Sequence, residues 1–494
     1  MVSKDLQNQI VDSFQKMGQG KGMISPSVYD IAWLARLNED GVEIGKEALE
    51  WLRQNQLEDG SWGEAQIPYS HERFINTLAA AVTLARQSDK HDRQRLEKAV
   101  HAINKYALVL QSDPLGETIG FEMIAPSLLN EAQNLGLLHS NYPYLEILRE
   151  KRAAKIAALP QGFVNRKSTV VFSSEMLQED EYDLLDLDDL QESNGSIGCS
   201  PAATVWYLKN VSNESSDLTL NFLHRVMDDN GMAPYIAPID VFETAWSLWN
   251  IAITGELTDE IIAASQPLLD FLEQQWNAKG LSAVSEFPVP DGDTTAMVYD
   301  ALTMFGRSVD IEGLLSFQGP AHFYCYRIEA NASISTNVHV LSALRQAGLT
   351  KNDPIVTTVR NYLSASRLEN SYWNDKWHIS PYYTTSHAVI AAAGYDSELS
   401  DPAAHWLLAN QDEQGGWGFY LPTAEETAYA LQALAIWKQH GGNIPADTIQ
   451  KGRTWLIEHA NDVHPFLWIG KSLYMPTLVI ETAIQSALAI TEQV

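Results

Sequence analysis

Two carboxylic acids one residue apart open the segment Asp291-Gly292-Asp293-Thr294-Thr295. The segment follows the Pro-containing stretch FPVP and precedes AMVYDALTMFG, whose apolar spacing is helical, so the acids stand at a helix N-terminus. Two chemistries are open to them. As a cap, Asp293 or Thr294 would bond the first free amides of the helix. As a Brønsted acid, the pair could protonate an alkene, which needs a strong carboxylic acid held in an apolar pocket. Burial alone raises a carboxyl pKa and weakens the acid, whereas a helix N-terminus and hydrogen bonds to the developing carboxylate act in the opposite direction. One Asp can then donate while its neighbour orients it. Paired carboxylates also serve glycosidases built on α-barrels, a reading that would call for sugar-binding aromatics.

The elements that must position these acids are helices. KEALEWLRQNQ, RFINTLAAAVTLARQ, EIIAASQPLLDFLEQQW, NVHVLSALRQAG and AEETAYALQALAIWKQH carry apolar residues at i, i+3, i+4 and i+7. Gly-, Pro- and Asp-rich turns such as EDGSWGE, FPVPDGD and DEQGGWG separate them, and runs of alternating strand pattern are absent. An internal repeat stands out. Trp51-Leu52, Gln56 and Gly60-Ser61-Trp62 recur with the same spacing as Trp406-Leu407, Gln411 and Gly415-Gly416-Trp417, and a weaker copy starts at Lys451-Gly452-Arg453-Thr454-Trp455-Leu456. The pattern is a helix end followed by a tight glycine turn, where the Gln can bond backbone groups and the Trp can stack over the turn. Two good copies so far apart imply two related helical domains.

The 494 residues suit two or three domains and a large core. The formal charge of −30 argues against nucleic acid and anionic membrane as partners. Cys199 and Cys325 form no metal motif or disulfide framework, which fits a reducing compartment. The polar N-terminus MVSKDLQNQIVDSF and the lack of a long apolar run give the expectation of a soluble cytoplasmic protein without signal peptide or membrane span.

The repeat resembles the QW motif of the squalene–hopene cyclase and class II diterpene cyclase superfamily. Further segments carry the resemblance along the chain: Ser25-Pro26-Ser27-Val28-Tyr29-Asp30-Ile31-Ala32-Trp33, Gly120-Phe121-Glu122, Gln191-Glu192-Ser193-Asn194-Gly195-Ser196 with Ser200-Pro201, Asp375-Lys376-Trp377-His378, Glu425-Glu426-Thr427-Ala428-Tyr429 and Leu467-Trp468-Ile469-Gly470-Lys471-Ser472-Leu473-Tyr474. The resemblance implies an all-α fold of two α-barrel (α/α toroid) domains in the βγ arrangement: residues 1–22 and 216–494 as the catalytic β-type barrel, 23–215 as the inserted γ-type barrel. It implies an isomerase that protonates geranylgeranyl diphosphate and closes it to a bicyclic diphosphate, leaving removal of the diphosphate to a downstream class I terpene synthase or phosphatase. The family reads Asp-x-Asp-Asp with the middle Asp as donor. Here the third carboxylate is replaced, giving the Asp-x-Asp-Thr-Thr form that resembles bacterial halimadienyl (tuberculosinyl) diphosphate synthases, with kolavenyl and copalyl skeletons as the other outcomes.

By this resemblance Asp293 is the general acid, Asp291 supports it, Thr294 supplies a hydroxyl and His339 orients the acid proton. Lys376 binds diphosphate, Asp113 and Glu117 hold Mg²⁺, and the rings of Trp377, Tyr382 and Tyr474 steady the cation. Asp188-Asp189-Leu190-Gln191-Glu192 matches the DDxxE form with which class I synthases bind Mg²⁺. Within so acidic a run, and without a partner motif downstream, it reads instead as a solvated face. A squalene–hopene-type triterpene cyclase would have more QW copies, and a non-catalytic prenyl-binding helical protein would not need Asp293.

Overall fold

The helical periodicity is realised as two closed rings of helices, each around its own apolar core. The structure, a computed structural model, describes residues 3–18, 22–139, 142–212, 217–329 and 331–492. In the larger ring, Asp240–Ala252, Gly292–Met304, Ile334–Gln346, Pro381–Ala392, Ala424–Gln439 and Thr477–Thr491 each pack on the next, and the last returns to the first. These helices are buried on almost every side; Pro381–Ala392 is buried at every residue. A helix apolar all round can satisfy its surface only in such an interior position. Outside them lie amphipathic helices with one buried stripe, as Val356, Val359 and Leu363 form on Pro354–Ala365. The N-terminal helix Lys4–Lys16 joins this outer layer, packing on Asp259–Gln275 and Thr477–Thr491. Its Leu6, Ile10 and Phe14 enter the same core as residues from Ile239 onward.

The smaller ring runs Val28–Ala35, Ser70–Gln87, Phe121–Asn134, the 3₁₀ segment Thr169–Met176 and Pro201–Asn210, which closes on Val28–Ala35. The helix Asp217–Val226 adds Phe222, Leu223 and Val226 to this smaller core, although the boundary expected at 216 would place it with the larger one. Its apolar stripe packs on Pro201–Asn210, and the chain changes core between Ala237 and Ile239, touching the smaller core again at Val284, Phe287 and Val289. A short antiparallel hairpin, Trp468–Ile469 with Leu473–Tyr474, lies between the rings. There Ile379, Leu467, Ile469 and Leu473 cluster with Ile67 and Tyr69 of the smaller ring's side. The architecture is the expected all-α one, a pair of helical toroids with, among the described residues, this hairpin added. No helix among the described residues is long and apolar enough to cross a membrane.

The repeats show how sequence sets the rings. Gln56 Nε2 donates to Gly60 O and Arg95 O, and Gln411 Nε2 donates to Gly415 O and Thr448 O, tying each turn to the first turn of the next outer helix. Trp62 and Trp417 each donate their indole N–H to Leu52 O and Leu407 O. Gly60 and Gly415 have φ of 87° and 109°, and a Cβ would lie 2.5 and 2.7 Å from Lys98 O and Lys451 O. Two copies were not visible in sequence. Gln191 makes the same bond to Gly195 O, with Ile197 in the Trp position. Trp373 bonds Leu363 O without any Gln before it. The stretch Thr454-Trp455-Leu456 supplies only the helical part of the pattern, inside Thr448–His459.

Candidate active site

Asp291 is the N-cap of Gly292–Met304: its Oδ1 accepts the Thr294 amide at 2.6 Å, while its Oδ2 is buried without a partner. Gly292 is required by close approach, since a Cβ there would sit 2.4 Å from Tyr324 O. Asp293, the next residue, turns inward and is 8% exposed. Its Oδ1 lies 2.6 Å from Nδ1 of His339, which projects from the neighbouring inner helix Ile334–Gln346. His339 Nε2 in turn lies 2.8 Å from Nδ1 of His387, on the inner helix after that. Three consecutive staves of the ring therefore contribute one chain of polar groups to its interior.

Burial pushes the Asp291 carboxyl up to about 7; the charge of Asp293 adds to this, and the Thr294 amide and hydroxyl pull the other way. The Thr294 hydroxyl thus serves Asp291. The Thr295 hydroxyl belongs to the scaffold: it donates to Asp291 O at 2.6 Å and accepts the Leu281 amide at 2.9 Å. Thr77, Thr204, Thr385 and Thr427 accept the amides of Trp62, Ile197, Trp373 and Trp417 in the same way. The second Thr of the acid motif is thereby a repeat position of the rings.

Aromatic rings enclose the acid group. Trp246 meets His339 edge-on at 5.7 Å and donates its indole N–H to Tyr383 OH at 2.8 Å. Tyr383 packs on His387, Tyr429 and Trp468 at 4.3, 5.3 and 4.8 Å, and stacks on His378 at 4.9 Å. Glu425 Oε1 accepts from Trp468 Nε1 and Tyr429 OH and lies 3.2 Å from His378 Nε2. Its other oxygen is buried and unpartnered.

Of the residues expected from sequence, the structure joins Asp291, Asp293, Thr294 and His339. Tyr474 reaches the edge of the box, 6.2 Å from Trp468 and 4.4 Å from Tyr235. Tyr382 does not reach it. Its ring packs on Trp406 of the outer layer and its hydroxyl donates to Asn410 O. Tyr383, the next residue, takes the interior place because successive helical side chains point about 100° apart. Lys376 lies at the rim, paired with Glu329 at 2.6 Å and 5.1 Å from the Trp377 ring centre. Glu329 accepts the Cys325 amide, and Cys325 O accepts that of Gly292, so a short bonded path links this lysine to the acid helix. Trp377 meets Tyr326 at 6.3 Å, with its indole N–H buried and unpaired.

Asp113 and Glu117 belong to the smaller ring, in the loop before Phe121–Asn134. Both Asp113 oxygens accept backbone amides, of Ser70 and Leu115, and Glu117 accepts the Tyr144 hydroxyl. Among the described residues no group of three or more His, Cys, Asp or Glu is placed to hold a metal ion. Asp113 and Glu117 are thus engaged with protein donors; Mg²⁺ is commonly held by one or two carboxylates together with substrate phosphates and water, so its place here is what the resemblance implies. In the DDxxE segment Asp189 is paired with Arg166 and Lys167, as on a solvated face, but Glu192 departs from that expectation: it is buried, with Oε1 unpartnered.

Sequence reasoning missed His387, Trp246, Tyr383 and the Glu425–His378 pair. A histidine within PYYTTSHAVIAA was the available signal for His387, being the one residue of that helix whose type ordinarily titrates near neutral pH.

Residues 328–464 match the squalene-hopene cyclase C-terminal domain family, a span that holds His339 and His387 but not the Asp291–Thr295 segment. A Type B diterpene cyclase of Mycobacterium tuberculosis is 39% identical over 493 residues, covering 97% of this chain and 98% of that protein. An ent-copalyl diphosphate synthase of Streptomyces sp. (strain KO-3988) is 30% identical, covering 96% and 93%. Among solved structures, the ent-copalyl diphosphate synthase from Streptomyces platensis superposes with a TM-score of 0.80 at 29% identity, covering 99% of each chain. With a relative of that identity aligned over nearly its whole length, and the acid group set inside a helical toroid, this chain belongs to the class II diterpene cyclases.

Proposed function

We propose that this enzyme protonates the terminal double bond of geranylgeranyl diphosphate with Asp293 and closes the prenyl chain to a bicyclic diphosphate. The observation that carries the reading is the Asp293–His339 contact of 2.6 Å at the first turn of a helix inside an aromatic box. The helix N-terminus and a donor on His339 both stabilise the carboxylate that forms as the proton leaves. Asp291 assists by staying neutral: with its carboxyl pushed up to about 7, it withholds a second negative charge from beside the acid over the acidic half of the pH range.

The Asp293 O–H bond breaks and its proton joins the CH carbon of that double bond, the less substituted of the two. The alkene's electron pair forms the new C–H bond and leaves a tertiary cation. Two further double bonds attack in turn, each π pair becoming a ring C–C bond. The π-faces of Trp246, Tyr383 and Trp468 supply the negative quadrupole that a migrating cation needs. Loss of a ring proton to a base ends the cascade, its C–H pair becoming the new double bond. The diphosphate, docked at the rim on Lys376, is retained. The catalytic unit is then the larger ring with Lys4–Lys16, and the smaller ring closes the site from the other side of the hairpin. The Asp-x-Asp-Thr-Thr form favours a rearranged, halimadienyl-type skeleton over a copalyl one. A class I synthase or phosphatase acting afterwards would take the diphosphate product.

The test is incubation of purified protein with geranylgeranyl diphosphate, phosphatase treatment and identification of the alcohols by mass spectrometry and NMR. A bicyclic alcohol made by wild type but not by Asp293→Asn is the expected result. Recovery of geranylgeraniol alone from the wild type would refute the reading and bring forward the prenyl-binding alternative.

A further inference from the structure

We propose that His387 is a positioning residue: it decides which nitrogen of His339 carries the proton, and so keeps the acid proton of Asp293 on the oxygen that does not face His339. The inference rests on the reading of Asp293 as the general acid.

The argument starts from an atom without a partner. His387 is 1% exposed and its Nε2 is buried with no hydrogen-bond partner. The rings around it are Trp249 at 4.6 Å, Tyr383 at 4.3 Å and Tyr429 at 5.6 Å. Burial first, and then the neighbouring His339 and His378, hold its pKa well below the usual imidazole range, so the ring is neutral and carries a single N–H.

Two placements of that proton exist. On Nε2 it would be a buried donor with no acceptor, and Nδ1 would turn a lone pair toward His339. On Nδ1 it makes the 2.8 Å bond to His339 Nε2 and leaves only a lone pair unpaired. A buried orphan N–H is the rarer and more costly defect, so the proton belongs on Nδ1.

The consequence runs along the chain. His339 Nε2 is then an acceptor, and a neutral His339 must hold its own proton on Nδ1. That N–H points at Asp293 Oδ1 across 2.6 Å. Oδ1 becomes an acceptor, and the acid proton resides on Oδ2. The same N–H is already in place to bond the carboxylate once the proton has gone. With the opposite tautomer, His339 Nδ1 would offer a lone pair, and Asp293 would spend its O–H bonding to it. A misplaced imidazole tautomer beside a catalytic group is known to remove most of a rate enhancement.

The experiment compares wild type, His387→Phe and His387→Gln on geranylgeranyl diphosphate, alongside ring-¹⁵N spectra of histidine-labelled protein without substrate. The Phe variant keeps a planar ring but no donor, and its kcat is expected to fall on the order of 10²-fold with KM within about threefold. The Gln amide can donate to His339 Nε2, and is expected to recover at least about tenfold of that loss. The His339 signals, identified by their loss in His339→Phe, should show Nδ1–H in the wild type and gain Nε2–H when His387 is Phe. A Phe variant with kcat within about threefold of wild type, or a Gln variant as slow as Phe, overturns the proposal. So does a wild-type His339 protonated on Nε2. If the Phe variant fails to fold by circular dichroism, the Gln variant and the wild-type spectrum decide. A wild type that does not cyclise the substrate overturns the function, while the ¹⁵N spectra still decide the tautomer.

Discussion

Each ring buries carboxyl groups at its heart, and the partners given to them differ. In the smaller ring Glu175 meets Lys471 at 2.7 Å, both side chains fully buried. Tyr29 OH donates to Glu175, Ser200 lies 2.8 Å from the ammonium, and Phe172 lies 4.3 Å beneath it. Asp30 beside them accepts Ser27 and the Ala202 amide. In the larger ring the carboxyl of Asp293 meets, among the described residues, an imidazole whose far nitrogen leads to a second imidazole. A permanent cation anchors a carboxylate and makes a lock. A neutral donor supports either protonation state, which is what an acid that must give up and regain a proton requires. Buried carboxyls alone do not mark the catalytic ring; the nature of their partners does.

That contrast can be broken at its strongest point first. Asp293→Asn is expected to lower kcat by at least about 10³-fold with the fold retained, checked by product assay and circular dichroism. Residual activity within tenfold of wild type would place the acid elsewhere. His339→Phe should cost on the order of 10²-fold in kcat with little change in KM, read by steady-state kinetics. Lys471→Met should act on stability, lowering it by about 3–5 kcal/mol because Glu175 is left as an uncompensated buried charge. Denaturant unfolding measures this, and a loss of turnover without loss of stability would contradict the lock.

The smaller effects sharpen the comparison. Asp291 is pushed up to about 7, mainly by burial, so it ionises as pH rises through that value and disfavours the second carboxylate beside it. Turnover should decline on the alkaline side of about pH 7. Asp291→Asn keeps the cap on Thr294 and should move that alkaline limb upward in a kcat–pH profile. Asp30, also raised to about 7 by burial, gives the matching stability effect. Its folded pKa lies above the unfolded value near 4, so its contribution is present at low pH and is lost as pH rises between about 4 and 7. In Asp30→Asn, unfolding measured across that window should lose part of its pH dependence. Least of all, Tyr382→Phe should leave turnover within about twofold, because its hydroxyl bonds the outer layer.

The sequence by itself determined the helices, the two good QW turns and the acid pair at a helix start, because each depends on local periodicity, glycine conformation or a cap within a few residues. It also led to His339, through a matched motif. It misplaced Tyr382 for Tyr383, since neighbouring residues on a wholly buried helix differ only in which neighbour they face. It left the Trp373 turn unseen, because that turn keeps the indole bond without the Gln that marks the pattern. Only the tertiary structure decided that Thr295 is scaffold, that Asp217–Val226 packs with the smaller core, and that His387 stands behind His339. The physical reason is common to all three. Ring closure brings together side chains from helices 46 to 48 residues apart, as between Asp293 and His339 and between His339 and His387, and no local rule in the sequence records which faces will meet.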